Sequence, residues 1–477
     1  MDKARLKDYR FWIFCVCAIL FAVLFAFDLA KARLPLPAHY GAASCAFIYV
    51  ATALPLAIYF VFAAAKHKKS ATTVIIIAVM LALSYAVRIC FANFQSKDYV
   101  NHLSQWVEEY RSLPLANCFI KQVGNYPPLY NYFLIAFSRM NISDLYLIKT
   151  LSFYFEAGTV FFAIKLVGLV RKESFNYLWA AIFLLLPTPF TNSSQWAQCD
   201  TMYTMCAVAG IYFALKRLSV PAYLFIGLGL AFKMQTVLIL PVGLVLLLAR
   251  DTDGRKYLLW RYIWLVPLAF MALSCLPVFF GGSFFKVFDV YFNQVAVGNA
   301  GHALNGHCAN ILLPFSSIPD KSVAYYILLV LFIAITAVTD TLIIVSVLKK
   351  SGKVLNAQSV LLLCILLPLN SVFFMPKMLD RFYYIAEIFL IIYFAAYRDK
   401  NSFIAYALLE TAQWLMYTRT LLSINGLYVI SPVFSAAALV IVYAMLIKAF
   451  PLNGNKLNGL AALITESPRP QEQKTAP

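Results

Sequence analysis

Asp98 stands in the stretch SKDYVNHLSQWVEEYR, residues 96–111, directly after an apolar run. A carboxylate in that position has two roles open to it. It can cap the following helix by accepting from free backbone N–H groups, or it can act as a general base that takes a proton from a hydroxyl. Four more polar clusters follow along the chain. GNYPPLYNYFL (124–134) carries Tyr126, and NSSQWAQCDTMYT (192–204) carries Trp196, Gln198 and Asp200. GLGLAFKMQTVLILP (227–241) carries Lys233 and Gln235, and FFMPKMLDRFYY (373–384) carries Lys377, Asp380 and Arg381. Charged residues beside apolar runs are costly to keep, so five polar clusters that share one membrane face mark a candidate site. Each residue also has a plainer role. Lys233 and Lys377 can snorkel to lipid headgroups, Asp200 can cap a helix, and Tyr126 and Trp196 can belong to an interfacial aromatic belt. Glu156, inside LSFYFEAGTVFF, has no surface role and needs either Lys149, two turns earlier, or a polar cavity.

The elements that must position these residues are set by composition. Of 477 residues, 62% are hydrophobic and 13% charged, which excludes an ordinary soluble domain and indicates an all-α polytopic membrane protein. Apolar runs give about fourteen expected crossings, at 11–30, 44–65, 73–93, 145–170, 176–190, 200–215, 218–232, 236–249, 257–280, 323–348, 356–374, 382–397, 401–423 and 428–449. The first follows MDKARLKDYR and reads as a retained signal anchor. The short loops KHKK, RKES, RDTDGRK, KKSGK and RDK are basic and are assigned to the cytoplasm, with both chain ends. Much of the net charge of +18 lies in such loops, so it reports topology, and nucleic acid is not expected as a partner. The chain is then one membrane domain, 1–449, with a disordered cytoplasmic tail at 450–477. Outer loops at 94–144 and 281–321 form the site face. In the first of these, Val100, Leu103, Trp106, Val107 and Tyr110 share one face of an amphipathic juxtamembrane helix.

Other motifs add little chemistry. Asp251-Thr252-Asp253 has the DxD form of a metal–nucleotide site, but it lies in a short basic loop ending in Asp-Gly and reads as a turn. Asn141-Ile-Ser143 and Asn192-Ser-Ser194 are glycosylation patterns on the expected outer face. His302 and His307 lack a matching carboxylate or cysteine pattern, so no metal ligand is assigned; a divalent ion bridging Asp98 and a phosphate is left open. Ten cysteines are scattered without metal spacing. Cys118 and Cys308, in separate outer loops, are the one conceivable disulfide.

Taken in order, the clusters resemble the integral-membrane C-type glycosyltransferases, and among them bacterial proteins similar to the GPI mannosyltransferase that adds the second mannose. The resemblance runs from about Tyr99 to Tyr384. It rests on Asp98 and Trp106, a GxYxPxY turn at Gly124, Tyr126, Pro128 and Tyr130, and a W-G-Q-x-D element at Trp196, Gln198 and Asp200 with Ala197 for the glycine. A G-x-A-x-x-x-K-x-Q element at Gly229, Ala231, Lys233 and Gln235 completes it. The last element departs: relatives often have Met-His-Glu-Arg-Tyr where this chain has Met378, Leu379, Asp380, Arg381 and Phe382, so the histidine is missing. The resemblance implies inverting transfer of one sugar, mannose or another hexose or pentose, from a polyprenyl-phosphate carrier to a glycan, lipid-linked or protein acceptor. It places the reaction on the extracytoplasmic side of a membrane, here a bacterial inner membrane. Asp98 is then the base, Arg381, Lys233 and Lys377 hold the donor phosphate, and Tyr126, Trp196, Gln198, Asp200, Gln235, Asp380 and Glu156 line the substrate. A lipid-linked glycan flippase or transporter, and a polysaccharide polymerase or ligase, are the alternatives.

Overall fold

The computed structural model of the chain describes residues 41–296 and 304–450. The first expected span, His302 and the tail lie outside the described residues. In chain order the principal helices are α1 (Gly41–Lys66), α2 (Ala71–Cys90), α3 (Ser104–Ser112), α4 (Pro128–Phe137), α5 (Asp144–Arg171) and α6 (Tyr177–Phe183). They are followed by α7 (Asp200–Leu215), α8 (Ser219–Phe232), α9 (Leu240–Leu248), α10 (Leu265–Ser274) and α11 (Phe284–Ala296). The last are α12 (Val323–Lys350), α13 (Ala357–Phe374), α14 (Tyr384–Tyr397), α15 (Lys400–Leu422) and α16 (Ser431–Ala449). Among the described residues there is no strand, only isolated bridges such as His307 with Leu379. A helix satisfies its own backbone, which is what an apolar solvent requires.

Six helices among the described residues are long and apolar enough to cross a membrane: Ala42–Lys66, Ala71–Cys90, Asp144–Arg171, Val323–Lys350, Ala357–Phe374 and Leu427–Ala449. The expected count of about fourteen was reached by apolar length alone, and several of those runs are interrupted or polar. Pro187 and Pro189 split the run at 176–190, and the run at 257–280 falls into a 3₁₀ turn, the ten-residue α10 and a four-residue helix. The helix at 401–423 carries Lys400, Glu410 and Arg419. α13 is the central element, buried without interruption from Ser359 to Phe373. α12 packs only 17% of its apolar window into the protein and turns Ile327, Val330 and Leu342 outward, as a lipid-facing helix would.

The basic loops gather at one end of the bundle. The Lys66 ammonium donates to the Phe175 carbonyl, Arg171 to Ala396 O at 3.0 Å, Arg217 to Asp253 at 2.7 Å, and the Arg250 N–H to Lys353 O at 2.7 Å. Asp251 accepts from the N–H groups of Asp253 and Arg255, each at 2.9 Å, so the DxD sequence is a turn, as its composition suggested. The polar clusters gather at the opposite end.

Two buried cations brace that second end. Arg88 ion-pairs with Glu156, whose other oxygen accepts from Ser193 Oγ at 2.5 Å. Lys149, the partner expected for Glu156, instead donates to the carbonyls of Phe91 (2.6 Å), Ala92 (3.1 Å) and Phe94 (2.6 Å). These carbonyls lie just past the end of α2, where Phe91 O also accepts from Phe94 N at 3.0 Å, so Lys149 closes the helix end and fixes the chain that leads to Asp98.

The segment between α6 and α7 delivers Asn192, Trp196, Gln198 and Asp200 through a wide π turn, Thr191–Gln195. It then reverses at Ala197, whose φ of 64° is left-handed. A Cβ there costs about 1–2 kcal/mol, which glycine avoids at about 0.5–1 kcal/mol of extra chain entropy. Ala197→Gly is therefore expected to stabilise the protein by up to about 1 kcal/mol. The check is the thermal unfolding midpoint in detergent, and a fall in that midpoint would show that the reversal is unstrained.

Candidate functional site

Asp98 begins the helical turn Tyr99–Leu103 but makes no capping hydrogen bond. The cap is Ser96, buried, whose Oγ accepts from Tyr99 N at 3.1 Å and donates to Trp196 O at 3.0 Å. With the cap supplied two residues earlier, the Asp98 carboxylate faces the bundle. Its Oδ2 accepts from Trp196 Nε1 (3.0 Å), Gln198 Nε2 (2.7 Å) and Arg381 Nη1 (3.4 Å). Its Oδ1 takes no hydrogen bond from the described residues, and the side chain is 34% exposed. One oxygen is thus anchored and the other is open.

Arg381 extends the arrangement inward. Its Nε lies 3.5 Å from Asp200 Oδ2, while Asp200 accepts from Lys233 Nζ at 2.5 Å and Asn192 Nδ2 at 2.9 Å. The result is an alternating chain, Asp98–Arg381–Asp200–Lys233, running from a half-exposed carboxylate to a lysine that is 2% exposed. Opposite charges at these separations offset the desolvation of the buried pair, and the added hydrogen bonds satisfy remaining lone pairs. The backbone is shaped to allow this. α8 stops at Phe232, Lys233 is extended (φ −162°, ψ 136°), and a 3₁₀ turn follows, so the lysine is released from helical geometry to reach Asp200. Aromatic rings flank the cations: Tyr126 and Tyr203 at 5.7 and 5.8 Å from Lys233 Nζ, and Trp196 at 5.1 Å from the Arg381 guanidinium.

Tyr126 links the first loop to this chain by donating to Gln198 Oε1 at 3.0 Å. Its carbonyl is held by Gln122 Nε2 (2.9 Å) and Asn131 Nδ2 (3.2 Å), and its ring meets Trp106 edge-on at 5.4 Å. Gly124, with φ 71°, lies directly under Trp106, where an added Cβ would come 2.3 Å from the indole. The amphipathic helix forms, with Leu103, Val107 and Tyr110 buried as expected, but Val100 is 43% exposed. The wide first turn, Tyr99–Leu103, turns Tyr99 inward in its place.

The remaining expected residues spread over two tiers. Asp380 is buried beside Arg381, accepting from Thr420 Oγ1 at 2.8 Å and from the Arg381 N–H at 2.9 Å; burial pushes its carboxyl up to about 7. Lys377 lies on the same loop in a left-handed conformation (φ 61°), its N–H bonded to Leu304 O at 2.7 Å. Gln235, two residues past Lys233, buries its side-chain oxygen with no hydrogen-bond partner among the described residues. Glu156 does not touch the charge chain; it anchors Ser193 from below. Asn192 is fully buried on Asp200, so the pattern Asn192-Ser-Ser194 is not an accessible glycosylation site. Cys118 and Cys308 are free, buried thiols. Among the described residues no group of three or more His, Cys, Asp or Glu side chains is placed to hold a metal ion.

Arg88, Ser96, Lys97, Arg419 and Thr420 are further residues at the site end that no motif marks. Arg88 had a signal: one unpaired arginine in an apolar run, matching one unpaired glutamate in another. The others are polar residues of ordinary type, distinguished only by tertiary placement. No protein-family model and no curated protein sequence matches the chain.

The charge chain generates a direct prediction. Lys233→Met leaves Asp200 buried with one cation fewer and is expected to cost about 3–5 kcal/mol. Adding Asp200→Asn should restore most of that loss, as read by thermal unfolding in detergent. Equal destabilisation in the single and double variants would mean that the two residues are not coupled.

Proposed function

We propose that the chain is a membrane glycosyltransferase that moves one sugar from a polyprenyl-phosphate carrier to an acceptor hydroxyl, with inversion. The supporting observation is the Asp98 carboxylate, tied at Oδ2 by three donors and open at Oδ1. An oriented carboxylate with one free oxygen suits a general base. In this reading the acceptor oxygen attacks the anomeric carbon while its proton passes to Asp98 Oδ1. The bond from the anomeric carbon to the phosphate oxygen breaks, and polyprenyl phosphate leaves with the electron pair. Arg381, with Lys377 on the same loop, faces the charge that grows on the leaving phosphate. Lys233 and Asp200 act behind Arg381 and hold its guanidinium in place, while Tyr126, Trp196 and Gln198 shape the wall around Asp98. About fourteen crossings with the basic loops in the cytoplasm would set the site on the extracytoplasmic side of a bacterial inner membrane.

A second reading draws on other residues. Glu387 and Glu410, on α14 and α15, are buried well inside the bundle and close enough to repel each other, and both Glu387 oxygens lack a hydrogen-bond partner among the described residues. Ionisable groups at such depth, beside helices broken at Lys233 and at Pro187, are also features of transporters.

Two experiments separate the readings. Asp98→Asn is expected to lower sugar transfer by about 10²- to 10⁴-fold in a protein that still inserts and binds the lipid donor. Wild-type transfer by that variant would remove Asp98 from the mechanism. Detergent-solubilised wild type, with no membrane to cross, is expected to turn over polyprenyl-phosphate sugars. Absence of turnover on a broad donor and acceptor panel, together with lipid translocation in proteoliposomes, would establish transport instead.

A further inference from the structure

Near the charge chain, two contacts one helical turn apart bring donors from separate segments to the end of α15. Lys97, the residue before Asp98, places Nζ 3.2 Å from Ser423 Oγ, and Ser423 closes α15 in a left-handed conformation (φ 57°). One turn earlier Arg419 places Nη1 2.6 Å from Nδ1 of His307. A guanidinium only donates, so Nδ1 is the accepting nitrogen and the ring proton sits on Nε2. Burial, and then the charge of Arg419, hold the His307 pKa below that of an ordinary imidazole, consistent with this neutral form. Neither Lys97 nor Arg419 has a carboxylate in salt-bridge contact among the described residues. What this cluster offers is therefore donors alone: an ammonium, the remaining guanidinium N–H groups and Nε2–H. An all-donor cluster suits an anion with several oxygens.

The aim of His307 is built into the backbone. Its φ is 65°, unusual for a residue with a Cβ, and it is held there by pairing with Leu379 and by Asn305, which accepts from Cys308 N at 2.8 Å. Strain of this kind is retained where surrounding structure fixes a side chain for use. Next to the donors lies an apolar lip. Tyr428 packs its ring 4.1 Å from the Arg419 guanidinium, and Ile424, Leu427 and Val433 around it are more than half exposed. Free phosphate would use the donors and ignore the lip. A neutral lipid would use the lip and ignore the donors.

We propose that Lys97, His307 and Arg419 seat the phosphate of a lipid monophosphate whose chain lies over Ile424, Leu427 and Val433. Lys97 precedes Asp98, so the seat and the open carboxylate belong to the same helical turn. The choice of a polyprenyl chain rests on the transfer reading above; the seat itself does not require transfer.

The test is binding to the full-length protein in nanodiscs, with polyprenyl monophosphate, polyprenol and inorganic phosphate as probes. Arg419→Ala is expected to weaken polyprenyl monophosphate about 10- to 100-fold, the loss of charge-assisted hydrogen bonds, and to leave polyprenol unaffected. Lys97→Ala and His307→Gln should weaken it less, and Arg419→Lys should recover part of the loss. If Arg419→Ala does not fold, Arg419→Lys, Lys97→Ala and His307→Gln carry the comparison. Unchanged binding in folded variants would overturn the proposal, as would equal weakening of polyprenol. Inorganic phosphate binding as tightly as the lipid would reduce the seat to an ion site and overturn the lipid assignment. Variant-sensitive lipid binding in a protein that never transfers sugar keeps the seat and removes the transfer reading. Transfer with variant-insensitive binding does the opposite.

Discussion

Arg381 is shared by two carboxylates, and the site end of the protein is organised around that sharing. Its guanidinium touches Asp98 at 3.4 Å and Asp200 at 3.5 Å, and Lys233 neutralises Asp200 from the far side. A charge in an apolar interior is tolerable only when paired and hydrogen-bonded. Each local irregularity nearby serves that condition. α8 breaks at Lys233 so that the lysine can reach inward, the chain reverses at Ala197 so that Trp196 and Gln198 both face Asp98, and Asn192 gives its amide to Asp200. Lys149 and the Arg88–Glu156 pair hold the neighbouring backbone from beneath.

The same constraint accounts for what was legible from residue types alone. Apolar length and basic loops gave the all-helical class and the two ends of the bundle, because both follow from the solvent and need no tertiary detail. The clustering of Asp98, Trp196, Gln198, Asp200, Lys233 and Arg381 was legible too, since charged residues beside apolar runs have few places to go. The partners were less so. The sequence leaves Asp98 open to a capping role that Ser96 fills in the structure, and for Glu156 it offers Lys149 or a polar cavity, because helical spacing is the only distance a sequence displays. Arg88 lies 68 positions from Glu156, and only packing joins them. Six helices among the described residues have the length and apolarity of a span, and proline breaks and a 3₁₀ turn interrupt other runs that hydropathy reads as continuous.

The burial of Lys233 also divides labour among the cations. A lysine that is 2% exposed and bonded to Asp200 sets the position of Arg381, whereas Lys97, Arg419 and His307 stand at the rim with donors to spare. On the transfer account, the inner pair orients, Arg381 meets developing charge, and the rim holds the lipid phosphate before reaction. Glu387 and Glu410 lie outside this scheme. Below Thr420, which bonds Asp380, α15 lines Tyr417, Gln413 and Glu410 along one face, so polar groups continue inward from the site.

The central claim is that the open oxygen of Asp98 faces the reacting carbon of a lipid-borne sugar. An experimental density map of the full-length protein with a polyprenyl-phosphate sugar bound tests it most directly. The expected map has the sugar's anomeric carbon near Asp98 Oδ1, separated only by room for an acceptor hydroxyl, with the phosphate on the cationic rim. A headgroup bound at the opposite, basic end, or an Asp98 carboxylate turned onto the backbone N–H groups of the following helix, would contradict it.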